Sequence, residues 1–215
     1  MKHPRFVQAS LVAMVLTLVL PCVVEGQGRR GSEAGRLLRD ASALESRGDY
    51  ERAEMVLRRL LDIDPTSTGG LFALDRVFRA QGEPEKILPV VDVFIDTNSS
   101  SSGVRYLKLR VLADLDSLEA LEAEATRWFK SEPGSEVPYR EVARVYESVF
   151  GMDRAIETLR LGREATGGDD ALAMEMGDLL AATGAVDSAV EEWATAVGED
   201  GGQAAAIVRR IEELE

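Results

Sequence analysis

Apolar and polar residues alternate with helical spacing along most of the chain, and short glycine turns break the pattern at intervals. In ALESRGDYERAEMVLRRLLDIDP, Leu44 closes one apolar stripe and Ala53, Leu57 and Leu60 open the next. Between them lies Gly48-Asp49-Tyr50. The same kind of turn returns as Gly82-Glu83-Pro84 and Gly184-Ala185-Val186. Gly48 and Gly82 are 34 residues apart, and Gly184 lies three such periods after Gly82. A fixed period of this length predicts a repeat built of a helix, a tight turn and a second antiparallel helix.

With repeats starting at Ala34, Thr68, Ser102, Glu136, Asp170 and Ala204, the register can be followed position by position. The fourth position holds Leu37, Leu71, Arg105, Tyr139, Ala173 and Ile207. The eighth holds Ala41, Asp75, Leu109, Ala143, Gly177 and Ile211, and the eleventh Leu44, Phe78, Leu112, Tyr146, Leu180 and Leu214. The inter-helix turn falls on Gly48, Gly82, Asp116, Phe150 and Gly184. Position 20 holds Ala53, Ile87, Leu121, Ala155 and Ala189. The second helices continue through Leu57 and Leu60, Val91 and Phe94, Ala125 and Trp128, Leu159 and Gly162, and Trp193 and Ala196. Pro65 and Pro133 close two repeats; Ser99, Gly167 and Gly201 stand at the equivalent place in the others.

Across nearly all of residues 34–215 this pattern resembles the tetratricopeptide repeat (TPR) family. Small residues at positions 8 and 20 let two helices approach, and bulky ones fill the space to the next hairpin. No hairpin buries its apolar face alone, so neighbours must stack. The resemblance implies an all-α, right-handed α-solenoid of antiparallel helix hairpins, with about five repeats near 34–67, 68–101, 102–135, 136–169 and 170–203 and a partial or capping helix at 204–215. The final segment, QAAAIVRRIEELE, reads either as a cap or as the opening of a further repeat. Repeats 2 and 3 depart most. Asp75 and Arg105 occupy apolar positions, Pro89 lies early in a second helix, and Tyr106 with Leu109 points to a one-residue shift of the third repeat's first helix. TNSSSSG at 97–103 reads as an inter-repeat loop.

Composition narrows the function. A formal net charge of −13 repels phosphate-rich partners, which argues against nucleic acid. The one His is His3 and the one Cys is Cys22. A chain lacking that N-terminal segment has no catalytic triad with His, no thiol nucleophile and no His or Cys metal site. Carboxylate chemistry and Ca²⁺ or Mg²⁺ sites survive this exclusion, because Asp and Glu are abundant, but the repeat reads as packing from end to end, so no enzyme, cofactor or metal is expected.

Residues 1–26 carry Lys2 and Arg5, then the apolar run LVAMVLTLVL, then Val24 and Gly26 before Gln27. This is the layout of a secretory signal peptide, followed by a short linker at 27–33. The expected location is therefore periplasmic or extracellular. An uncleaved anchor or a lipidated Cys22, which would be the only link to a membrane, stays open, although Pro21 precedes the Cys where lipoproteins carry a small residue.

Arrays of this kind look like scaffolds that bind a protein or peptide partner on their first helices. At the family's groove positions stand Phe72, Arg76, Arg79, Arg110, Arg140 and Arg144. Such a stripe suits an acidic peptide or a terminal carboxylate, because arginine binds carboxylates in bidentate fashion. The plainer alternative is that these arginines pair with neighbouring Asp and Glu. A further alternative for the whole chain is a structural N-terminal part of a larger cell-envelope assembly or secretion component. The Arg47-Gly48-Asp49 tripeptide matches an adhesion motif, yet its glycine is the turn residue of repeat 1. Trp128 and Trp193 fall at core positions.

Overall fold

A computed structural model describes residues 22–98, 101–197 and 203–212, with side chains from Glu33 onward. The expected signal peptide, apart from its last residues, lies outside this range, as do Ser99, residues 198–202 and Leu214. Among the described residues every regular element is helical. The helices are α1 (Cys22–Glu45), α2 (Tyr50–Ile63), α3 (Thr68–Gln81), α4 (Leu88–Thr97), α5 (Ser102–Asp114), α6 (Leu118–Ser131), α7 (Glu136–Phe150), α8 (Met152–Thr166), α9 (Ala173–Ala182), α10 (Val186–Ala196) and α11 (Ala204–Glu212). One turn of 3-10 helix, Pro84–Ile87, precedes α4.

Odd-numbered helices up to α9 open a hairpin and even-numbered helices close it. Substantial packing joins only elements adjacent in sequence or one removed, such as α1 with α2 and α3, or α5 with α6 and α7. The chain is thus an all-α solenoid, in which each hairpin is covered by its neighbours.

The turns inside the hairpins are alike down to single hydrogen bonds. The amides of Asp49, Glu83, Ser117 and Ala185 donate to the carbonyls of Leu44, Phe78, Leu112 and Leu180, each five residues back. This closure needs a left-handed residue just before the donor. Gly48, Gly82 and Gly184 supply it at φ 76°, 79° and 84°, and Asp116 takes it at 52° without being glycine. Arg47-Gly48-Asp49 is therefore one of four equivalent turns. In the fourth hairpin the turn passes through Gly151, one residue beyond the expected Phe150.

The core runs the length of the stack in successive clusters. Ala41, Ala53, Leu57, Leu71, Leu74 and Phe78 belong to the first. Leu112, Leu121, Trp128 and Tyr146 lie in the second, and Tyr139, Ala143, Ala155 and Leu159 in the third. Trp193 centres the last, against Ala189 and Ile207. Both tryptophans are fully buried, as their positions required.

α1 runs without a break from Cys22 through residues 27–33 into repeat 1. Two expectations are corrected. The fifth repeat's first helix begins at Ala173, not at Asp170 where the repeat period starts; Asp169 to Leu172 form a turn that ends in left-handed Leu172 (φ 59°). The proposed shift of α5 does not occur. Val104, Arg105, Leu109, Val111 and Leu112 are buried in the same register as the other first helices, with Arg105 itself inside. Pro89 does lie at the start of its helix, as its position implies; it cannot donate a hydrogen bond to the preceding turn, and that turn is wound as 3-10 helix.

Candidate functional site

The first helices α1, α3, α5, α7, α9 and α11 follow one another along the stack, so residues one repeat apart meet across each junction. Arg76 on α3 donates to both carboxylate oxygens of Glu45 on α1, at 2.9 and 3.0 Å. Arg110 on α5 reaches back to Asp75 on α3 at 3.0 Å. Arg79 donates to Asp75 in its own helix at 3.0 Å and forward to Asp114 at 2.6 Å. Arg140 on α7 pairs with Glu175 on α9 and, at 2.9 Å, with Glu136. Arg210 on α11 clasps both oxygens of Asp178 on α9, at 2.5 and 2.9 Å.

The face is thus a ladder of cross-repeat ion pairs. The Arg76 guanidinium is held above its ordinary pKa, chiefly by the hydrogen bond to Glu45. For Arg79 desolvation pulls the other way, but the bonds to Asp114 and Asp75 prevail and its pKa is also raised. These groups stay charged throughout the physiological range.

Five of the six residues expected at the groove are arginines with carboxylate partners inside the chain. Phe72 is half-buried and packs on the first core cluster, with its ring tip facing Gly103 of α5. Arg144 differs from the other four. Among the described residues its one carboxylate contact is Glu141 in its own helix, at 3.2 Å, and its side chain remains 58% exposed.

The plainer alternative, that these arginines pair with neighbouring Asp and Glu, is what the structure shows; sequence reasoning did not name the partners, Glu45, Asp75, Asp114, Glu175 and, for Arg210, Asp178. The signal was present, because each lies 31 to 35 residues from its arginine, close to one period.

It also missed a second polar cluster, buried between α4, α5 and α6. Glu124 is 2% exposed and receives Lys108 at 2.6 Å, Arg127, and Arg105 at 3.8 Å. Lys108 also meets Asp92 at 2.7 Å. Glu132 lies 3.9 Å from Arg105 and accepts a hydrogen bond from the Trp128 indole N–H at 2.9 Å. The Arg105 guanidinium lies over the Trp128 ring, 6.0 Å from its centre. Glu124, Arg105 and Lys108 form the buried centre of the cluster, while Glu132, Asp92 and Arg127, with side chains 28%, 54% and 65% exposed, pair with them from the rim.

No protein-family model and no curated protein matches the chain. Solved structures with a similar course include MamA (19% identity, 81% of this chain and 95% of that one, TM-score 0.45). PilF of Pseudomonas aeruginosa is similar at 20% identity over 80% of this chain and 78% of that one, with a TM-score of 0.47. YrrB, described as a TPR protein with an unusual peptide-binding site, is similar at 13% identity over 90% and 98%, with a TM-score of 0.44. The solenoid stands on the packing described above; likenesses at this level add no argument about ligands. Among the described residues no helix is long and apolar enough to cross a membrane.

Proposed function

We propose that this chain is an exported, non-catalytic scaffold that holds a protein or peptide partner against its first-helix face. The observation that carries this reading is the face itself. Its charged positions recur at every repeat, and it is continuous along the stack because each hairpin contacts only its neighbours. The absence of His and Cys beyond residue 22 argues in the same direction, away from the common catalytic chemistries. Export rests on the basic and apolar layout of residues 1–26, with the periplasm or the exterior as destination.

The test is site-specific photo-crosslinking in the native compartment. A photoreactive residue at Ala80 or Glu147, both exposed on first helices, should capture a partner. The same residue at Met55 or Leu161, exposed on second helices, should not. Capture from the second helices alone would sink the reading. Export is checked separately: the mature chain should begin at Gln27, and a chain retaining residues 1–26 in the cytoplasm would contradict it.

A further inference from the structure

Among the described residues α11 is a first helix without a second one, and the surface beside it is apolar. Ile211 stands at the eighth position of its repeat. At that position Ala41, Asp75, Leu109 and Ala143 are 3% exposed or less, and Gly177 lies against Trp193 of its own second helix. Ile211 is 40% exposed. Val190 on α10 shows the same contrast. Its counterpart on α8, Ile156, is 5% exposed, whereas Val190 is 37% exposed. Its counterpart on α6, Glu122, pairs with Arg154 at the start of the following second helix. Val186, one turn before Val190, and Val208, one turn before Ile211, are exposed as well. Elsewhere in the stack, then, the second helix of the same hairpin covers the eighth position, and the next second helix covers the Val190 position. Both open positions lack one and the same element, a second helix seated between α10 and α11.

We propose that this groove at the end of the stack receives an amphipathic helix of a partner protein, whose apolar stripe is flanked by Lys or Arg. Charge selects the occupant. Glu212, beside Ile211, stands at the position of Asp178, which accepts the indole N–H of Trp193 from its own second helix at 3.0 Å. Asp187 follows Val186 on the exposed side of α10. Among the described residues neither Glu212 nor Asp187 has an ion-pair partner. α10 carries no basic residue. On α11, Arg210 is held by both oxygens of Asp178, and Arg209, two residues before Ile211, points away from it. The charge left over at the groove is therefore negative, and the incoming helix supplies the cations. The same carboxylates repel a second copy docked end to end. The apolar stripe gives affinity and the flanking charges give orientation, the usual division in helix-in-groove contacts. This surface is separate from the first-helix face, and neither reading depends on the other.

The experiment measures fluorescence anisotropy of a labelled peptide, acetyl-Lys-Leu-Ala-Lys-Ala-Leu-Lys-Lys-Leu-Ala-Lys-Ala-Leu-Lys-amide, with the full chain. Physiological salt screens diffuse attraction to an acidic protein. Val190→Asp and Ile211→Asp should each weaken binding at least tenfold. Leu161→Asp, the same kind of change at an exposed residue of α8, should alter it less than twofold. Asp187→Lys combined with Glu212→Lys should transfer the preference to the peptide that carries Glu in place of each Lys. Should Ile211→Asp lower the melting temperature, the charge-reversed variant carries the test. No binding by the native chain, equal loss with Leu161→Asp, or a preference for the lysine peptide that survives charge reversal overturns the proposal. So does a native chain that sediments as a dimer and becomes monomeric with Ile211→Asp, which would assign the surface to a second copy. Crosslinks from Ala80 or Glu147 report on the first-helix reading alone, so the two can fail separately.

Discussion

Hairpins 1, 4 and 5 and hairpins 2 and 3 solve the same packing problem in opposite ways. In the first group, small residues face each other where the helices cross: Ala41 with Ala53, Ala143 with Ala155, and Gly177 with Ala189. The backbones there lie close together. Gly177 shows how close, since a Cβ at that position would stand 2.4 Å from the Trp193 ring. In the second group the equivalent pairs are Asp75 with Ile87 and Leu109 with Leu121. The helices stand farther apart, and large side chains, all fully or nearly fully buried, fill the space. The wider middle also admits charge, in the form of Asp75 and the cluster around Glu124. One repeat period therefore accommodates two kinds of interior, provided that volume and charge are balanced locally.

The sharpest way to break this comparison is to unbalance the charge. Glu124→Ala leaves Lys108 and Arg105 buried without their shared carboxylate and should cost about 3–5 kcal/mol in urea unfolding. A loss under about 1 kcal/mol would mean that these cations reach water, and that the middle is not a sealed interior. Next comes volume. Leu109→Ala makes repeat 3 look more like repeats 1 and 4, yet it should cost about 2–5 kcal/mol, because Leu121 still holds the helices apart and a cavity results. Stabilisation by this change would show that the middle hairpins can close up.

Gly177→Ala is the mirror experiment. An added methyl against Trp193 should cost about 1–3 kcal/mol, read as a lowered melting temperature. Asp75→Ala should have a smaller effect, about 1 kcal/mol or less. Its partners Arg79 and Arg110 have side chains that are 31% and 44% exposed, and Arg79 keeps Asp114, so neither becomes a sealed charge. The difference between Asp75→Ala and Glu124→Ala separates a buried carboxylate whose cations reach water from one with two cations that are themselves largely buried.

The 34-residue spacing made the fold legible, because glycine turns and small-residue pairs are local signals. It was clearest at Gly48, Ala41 and Ala53 and weakest at Arg105. A charged residue at an apolar position reads as a slip when its partner is unknown, and Glu124 lies on another helix, 19 residues away by sequence number. The start of α9 was misplaced for a related reason: Asp169 and Asp170 look like helix caps, but the turn they form runs on through Leu172 before the helix begins. The arginines of the candidate face were visible as a stripe. Whether each was free or paired depended on carboxylates one repeat away, which periodicity alone does not assign.

The account's central claim is that first-helix arginines brace the stack at each described junction except that between repeats 3 and 4. A double-mutant cycle on Arg76 and Glu45 in urea, run beside a cycle on Arg144 and Ala113→Glu, tests it most directly. Ala113 lies 31 residues before Arg144, as Glu45 lies before Arg76. The first pair should show a coupling of roughly 0.5–1 kcal/mol, the range of an exposed, well-aligned pair. Ala113→Glu should stabilise the chain by a similar amount only when Arg144 is present. Zero coupling in both cycles, or stabilisation by Ala113→Glu that persists in Arg144→Gln, would contradict the account.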